Sequence, residues 1–411
     1  MGKTFAEKIL SKKSGKDVSA GDIVEVEPDV AMSHDNTADI SNKFYNIGVE
    51  DVYDPDKHVI ILDHITPAAN AKSAQNHKII REFVKKQGIK NFYDIEAGIC
   101  HQVIHEKGHV YPGALIVGSD SHTTSYGAFG AFSCGIGRSE MAVIMARGKI
   151  WLKVPETIKI ILKGDIPEEV SAKDLILYIA GKIGADGALY QAIEFSGPVI
   201  EDMSPSSRFV LSNMAVEVGA KAGYSIPNQE VLDYLDSRVD HEYEVVKSDD
   251  DANFVETIEI DVSNLEPQIA KPHTVDNVVP ISEVKGTEID QVFFGSCTNA
   301  RIEDFEVVVN IMKGKKVHND VRMLVFPASK EIYNEALDKG WIKILSKTGA
   351  VIMNPGCGPC MGNHEGILAD GEKALATSNR NFKGRLGNKN SEVYLGSPRT
   401  AAFTALNGKI S

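Results

Sequence analysis

Short, uninterrupted apolar runs recur along this chain, and each one ends on a loop of polar, charged or sulfur-bearing residues. His58-Val-Ile-Ile-Leu62 leads into Asp63-His64, and Ala114-Leu-Ile-Val117 leads into Gly118-Ser-Asp-Ser-His-Thr123. Gln291-Val-Phe-Phe294 delivers Gly295-Ser-Cys-Thr-Asn299, and Ala350-Val-Ile-Met353 delivers Asn354-Pro-Gly-Cys-Gly-Pro-Cys360. Lys373-Ala-Leu-Ala-Thr377 delivers Ser378-Asn-Arg-Asn-Phe-Lys-Gly-Arg385. Helical segments such as residues 71–86 lie between these runs. Continuous rather than alternating apolar strands indicate parallel sheets covered on both faces, hence an α/β fold. In such sheets ligands bind beyond the carboxyl ends of the strands, so the five loops point to one composite site.

The same pattern predicts a short amphipathic helix over residues 1–10 and a helical stretch over 139–152, with a new strand over 155–162. The proline-marked segment 267–280 reads as a linker and the acidic run 249–251 as a solvated loop. Three domains follow: 1–155, 156–275 and 276–411.

Composition narrows the class. A chain of 411 residues has room for two to four domains, and 43% hydrophobic with 25% charged residues is that of a soluble globular protein. Residues 1–10 have no signal-peptide core, and no run of 18 residues lacks a charge or turn former, so a cytoplasmic location is expected. With Lys+Arg 44 against Asp+Glu 57 the net charge is −13. That balance, without a basic block, argues against nucleic-acid binding. It also requires any carboxylate-binding site to be locally positive. Five cysteines, an odd number, argue against a disulfide framework and for thiol chemistry or metal binding in a reducing compartment.

Cys357-Gly-Pro-Cys360 has three readings: redox dithiol, half a zinc site, or part of an iron–sulfur site. The context is unlike a thioredoxin unit, and a second close pair for zinc is missing. Cys297 is the remaining thiol in a strand-end loop. Three thiolates with a fourth position unfilled would suit Lewis-acid catalysis, while three unrelated cysteines is the open alternative. Cys100 and Cys134 read as buried, inert thiols. His34-Asp35, Asp63-His64, His101-Gln102 and Asp120-Ser-His122 gather in the first third, and imidazole beside carboxylate is the pairing that tunes a proton donor or base. His105 and His109 read as structural or solvent-facing. Arg380 and Arg385 would bind carboxylates, although either could equally be a structural salt bridge. The glycine-rich stretch ending in Gly135-Ile-Gly137-Arg-Ser-Glu140 fails the dinucleotide fingerprint at its third glycine, and Gly2-Lys3-Thr4 cannot be a phosphate loop.

Taken together, the loops 118–123, 295–299, 357–360 and 378–385 resemble the aconitase superfamily, most closely the large subunits of the isopropylmalate dehydratase and homoaconitase branch of archaeal type. The resemblance covers the whole chain. It implies three α/β domains with parallel sheets around a central [4Fe–4S] cluster held by Cys297, Cys357 and Cys360, its fourth iron open to substrate. It further implies that His64, backed by Asp63, protonates the departing hydroxyl, with Asp120 and His101 positioning the reacting oxygen and His122 paired with Glu217. Ser121, Arg380, Arg385 and His34 would bind substrate, and Asn213, Asn299 and Asn379 would lie near the cluster. The swivelling fourth domain of single-chain relatives is not found after 276–411. The resemblance therefore implies a separate small subunit that supplies the serine base and selects the substrate.

The function so implied is stereospecific dehydration and rehydration of a 2-hydroxy dicarboxylate, isopropylmalate or citramalate, in branched-chain amino-acid synthesis. His34 stands where aconitases proper have glutamine, which favours that branch. Tyr126, Arg138 and Ala300 depart from its usual residues and leave homoaconitase or a dialkylmalate hydratase as alternatives. Two other classes compete: a regulator that binds RNA when its cluster is lost, which the charge disfavours, and a zinc-stabilised structural protein.

Overall fold

The computed structural model describes residues 2–411. Its strands gather into three mainly parallel sheets and one small antiparallel ribbon. The first sheet runs Asn91–Tyr93, His58–Ile61, Val30–Ser33, Leu115–Gly118, Phe132–Gly135, all parallel. Its three central strands are buried along their whole length, which is why they read as continuous apolar runs. The second sheet, also parallel, runs Ala222–Ser225, Ala192–Ser196, Thr157–Lys163, Glu256–Asp261.

The third has the parallel order Glu392–Leu395, Lys373–Ala376, Gln291–Phe294, Arg322–Val325, Val351–Ile352. Two antiparallel strands, Gln268–Ala270 and Val278–Pro280, extend its Glu392–Leu395 edge. The stretch expected to be a linker is thus part of a sheet. Its prolines sit at the rim of a short edge strand, where a missing N–H costs little.

Helices fall where the apolar spacing places them. Ala71–Gln87 starts on an Asn70 cap and stops at Gly88, whose φ of 67° is left-handed. The stretch 139–152 divides: the helix Arg138–Arg147 ends at Gly148, and Ile150–Lys153 pairs antiparallel with Ile23–Val26. At the N-terminus, Phe5–Ser14 is a helix with a Thr4–Glu7 capping box. Its Phe5 ring stacks on Tyr224, 4.0 Å between centroids. The acidic run is not free in solvent. Asp249 accepts from the Lys3 amide and pairs with Lys8, and Asp251 accepts from the Gly2 amide, so the run clasps the N-terminal helix. Among the described residues no helix is long and apolar enough to cross a membrane.

Strand order explains where the loops meet. In the first sheet the order reverses between Val30–Ser33 and Leu115–Gly118, and in the third beside Gln291–Phe294. A reversal in a parallel sheet opens a crevice at the carboxyl ends. The first crevice carries Asp35, Asp63-His64 and Asp120, and the second carries Cys297, Asn379 and Arg380. The two are in contact: the Cys357 amide donates to the Asp63 carbonyl at 3.0 Å, and Arg380 reaches Ser121.

Candidate active site

A cavity of about 90 Å³ lies where these crevices meet, lined by Asp63, His64, His101, Asp120, His122, Cys297, Cys357, Cys360, Asn379, Arg380 and Arg385, with Ile99 and Met361. Asp63 and His64 follow the central strand His58–Ile61 and are held by Asp35, whose carboxylate accepts the backbone N–H groups of Asp63, His64 and Ile65. His77 bonds the same carboxylate at 2.9 Å. The His64 Nδ1 lies 2.5 Å from Asp63 Oδ1, and its Nε2 lies 3.5 Å from Asp120 Oδ2. Burial works against a charged His64, but the carboxylates of Asp63 and Asp120 outweigh it and raise its pKa well above that of free histidine.

Asp120 caps the helical turn Ser121–Phe129 and is the hub of the site. It bonds His101 Nε2 at 2.8 Å and the His122 amide at 2.8 Å. Burial would raise its carboxyl, yet the bonds to His101, His122 and His64 hold it well below the usual carboxylate range. Behind His101, Nδ1 meets the Tyr126 hydroxyl at 2.9 Å. That gives the Tyr126 departure a defined task, orienting the ring that faces Asp120.

Glu217 arrives from the second sheet's layer, in the turn Ala215–Val218 after the helix Pro205–Met214. It bonds His122 Nε2 at 2.7 Å and accepts from Arg380 Nε at 2.7 Å, while Arg380 also donates to Ser121 Oγ at 3.0 Å. Burial raises the Glu217 carboxyl, but His122 and Arg380 together bring it below its ordinary value.

All five cysteines are unbridged and buried. Cys297 accepts N–H bonds from Asn213 at 3.3 Å and Asn379 at 3.1 Å, and Cys360 accepts one from Arg385 at 3.4 Å. Burial pushes the Cys297 thiol up to about 11. Cys360 is drawn toward the thiolate by its neighbour Cys357 and, against burial, by Arg385. The Cys297 loop is backed by Arg301, whose guanidinium donates to the carbonyls of Cys297 and Thr298. Ser296 and Ala300, at φ 87° and 69°, bound the loop in left-handed backbone. Ala300 therefore stands at a position whose geometry favours glycine.

The remaining candidates lie outside the cavity. His34 stacks on the far face of His64, 3.8 Å between ring centroids, and burial with the neighbouring His64 lowers it to about 4. With Lys72 and Arg138 it lines a second cleft of about 430 Å³ that also reaches His64. Asn299 turns to Asp304, its amide donating at 3.1 Å. Cys100, whose amide donates to the Asp63 carboxylate at 2.8 Å, and Cys134 are buried without lining the cavity, and His105 is likewise buried, against Tyr234. Sequence reasoning passed over Asp35 as the anchor of the His64 loop, although its pairing with His34 had marked it. Arg301 and Lys173 were not found at all. Both act on backbone carbonyls of distant loops, which leaves no local pattern.

A model of the aconitase family (aconitate hydratase) matches residues 7–408. The chain belongs to the aconitase family. It is similar to 3-isopropylmalate dehydratase large subunit 1 of Methanopyrus kandleri, 53% identical over 100% of this chain and 99% of that one. A probable 3-isopropylmalate dehydratase large subunit of Methanothermobacter thermautotrophicus is 52% identical over the same shares. A probable methanogen homoaconitase large subunit of the same organism is 47% identical over 99% of this chain and 96% of that one. The chain is thus a hydro-lyase of this family, and the family implies a [4Fe–4S] cluster. The residues present fit such a group. Three buried thiols converge on one small cavity, and amide and guanidinium N–H groups already donate to two of the sulfurs, as donors do around the thiolates of iron–sulfur clusters.

Proposed function

We propose that this chain is the large, catalytic subunit of an isopropylmalate isomerase (3-isopropylmalate dehydratase), also acting on citramalate, and that it works in the cytoplasm with a separate small subunit. In this reading the three sheets mark three α/β domains meeting at the cavity. The first boundary falls near residue 155, and the second, expected near 275, is drawn back ahead of Gln268–Ala270, which pairs in the third sheet. Cys297, Cys357 and Cys360 hold the cluster. When bound, the cluster supplies a Lewis-acidic iron that weakens the bond to the departing hydroxyl.

The chain's own residues do the rest. His64, kept protonated at neutral pH by Asp63 and Asp120, gives its proton to the leaving oxygen. Asp120, fixed by His101 and His122, orients that oxygen. Arg380 and Arg385 supply positive charge for the substrate carboxylates within a protein of net charge −13. Glu217 joins the Arg380 head group and His122 through one carboxylate oxygen. Burial of His64 and His101 keeps bulk water from the proton being moved. No group described here stands ready to take a proton from the substrate carbon, and that base is assigned to the small subunit.

The observation that carries this reading is the convergence of the Asp63–His64 pair, the Asp120 hub and three buried thiols on one cavity. The test is anaerobic reconstitution with iron, sulfide and the partner subunit, followed by assays on isopropylmalate, citramalate, homocitrate, a dialkylmalate and citrate. Turnover of isopropylmalate is expected. Exclusive turnover of homocitrate would instead support the homoaconitase reading, which the 47% identical relative and the cations Lys72 and Arg138 on the adjoining cleft favour. A colourless, zinc-retaining product would sink both.

A further inference from the structure

Lys173 is a fully buried lysine in the first turn of the helix Ala172–Ile183, in the layer of the second sheet. Its side chain crosses to the third sheet. The Nζ donates to the carbonyls of Thr377 at 2.9 Å and Ser378 at 2.6 Å. These are the two residues immediately before Asn379 and Arg380. Asn379 donates to Cys297, and Arg380 joins Ser121 to Glu217.

A buried ammonium is costly unless a carboxylate or several dipoles compensate it. The adjacent acid does not do so: Asp174 is taken up by Ser171 and by the Gln268 amide. Burial lowers Lys173 to about 7, and Cys297, Cys360, Glu217 and Asp174 offset that only in part. A neutral donor could satisfy two carbonyls without the cost of burying charge. What this position provides is a long-armed donor that ties down two consecutive carbonyls of a loop in another sheet.

We propose that Lys173 is a positioning residue of the active site, fixing the turn that carries Asn379 and Arg380. This rests on the reading of Cys297, Cys357 and Cys360 as cluster ligands. It assigns Lys173 no contact with substrate.

The test compares Lys173→Met and Lys173→Gln with wild type in the reconstituted two-subunit enzyme. Melting temperature, cluster midpoint potential, KM and kcat are read together. Lys173→Met is expected to raise KM for the hydroxy dicarboxylate about tenfold with a smaller change in kcat, the loss of roughly one charge-assisted hydrogen bond. Lys173→Gln, one bond shorter but still a donor, should recover part of that KM. Both should shift the midpoint to lower potential, because loosening the Asn379 donor on Cys297 removes a hydrogen bond that favours the reduced cluster. Wild-type KM and an unchanged potential in both variants would overturn the proposal. If Lys173→Met fails to fold, an unchanged potential in a folded Lys173→Gln overturns it alone. Should wild type turn over a different hydroxy acid, the substrate reading falls while the shift in potential still supports Lys173.

Discussion

Three carboxylates act on His64 at three different points. Asp63 holds Nδ1, Asp120 faces Nε2, and Asp35 fixes the backbone beneath. The ring is thus oriented, charged and anchored by separate groups, and the groups can be separated by mutation. His64→Gln should leave cluster absorbance intact and lower kcat by about 10²- to 10⁴-fold, the range for loss of a general acid. Steady-state kinetics beside the visible spectrum checks this. Ala300 makes a second residue-scale case. Its left-handed φ costs about 1 kcal/mol relative to glycine, while its buried methyl recovers a similar amount. Ala300→Gly should therefore melt within a few degrees of wild type. Ala300→Val, β-branched at the same φ, should melt clearly lower in a thermal scan.

At the level of elements, the strands that end on chemistry were legible because they are buried on both faces. Gln291–Phe294 was bounded correctly to the residue, and His58–Ile61 within one. The edge strands Gln268–Ala270 and Val278–Pro280 were not legible, since three residues and a terminal proline carry no period. Glu217 was reachable only through family resemblance, because it sits in a turn after a helix rather than at a strand end. Tyr126 was noticed as a departure, but its bond to His101 depends on a helical turn folding back over the sheet. Asp249 was misjudged for a similar reason: its partners are about 245 positions away in the chain.

The junction of the helix Cys100–Glu106 with the N-cap of Lys330–Asp338 offers a test at this same scale. Glu106 is buried there against Ser329 and Gln102, and burial pushes its carboxyl up from 4.5 to about 7. Between those values the unfolded chain has lost the proton that the folded chain keeps. Stability contributed at this site therefore falls as pH rises from about 4.5 to about 7 and is level above. Glu106→Gln should remove that slope, gaining up to about 3 kcal/mol at pH 8 and little at pH 4. Melting curves of both proteins across that range would show whether the slope disappears.

The molecule as a whole is acidic, and its positive charge at the site is local, carried by Arg380 and Arg385. Substrate anions are attracted only at close range, so added salt should change kcat/KM little compared with a steered enzyme. In the proposed reading the carbon base belongs to the small subunit, which fixes what the chain should do by itself. It should load a cluster and bind hydroxy dicarboxylates, yet turn over below about 1% of the two-subunit rate. Titrating the small subunit into the loaded chain should restore activity to a plateau at a fixed stoichiometry.

The N-terminal helix carries one more consequence, for how the protein is made. Phe5 rests on Tyr224, and the Phe5 amide on Ser248. On the ribosome the first helix leaves the exit tunnel long before either partner exists. At roughly 5–20 residues per second, its apolar face waits on the order of ten seconds or more for the far side of its socket. During that interval Phe5, Ile9 and Leu10 form a sticky stripe on a nascent chain, and co-translational chaperones are its natural cover. A segment made more than two hundred residues ahead of its socket is among the last parts of the fold to be sealed.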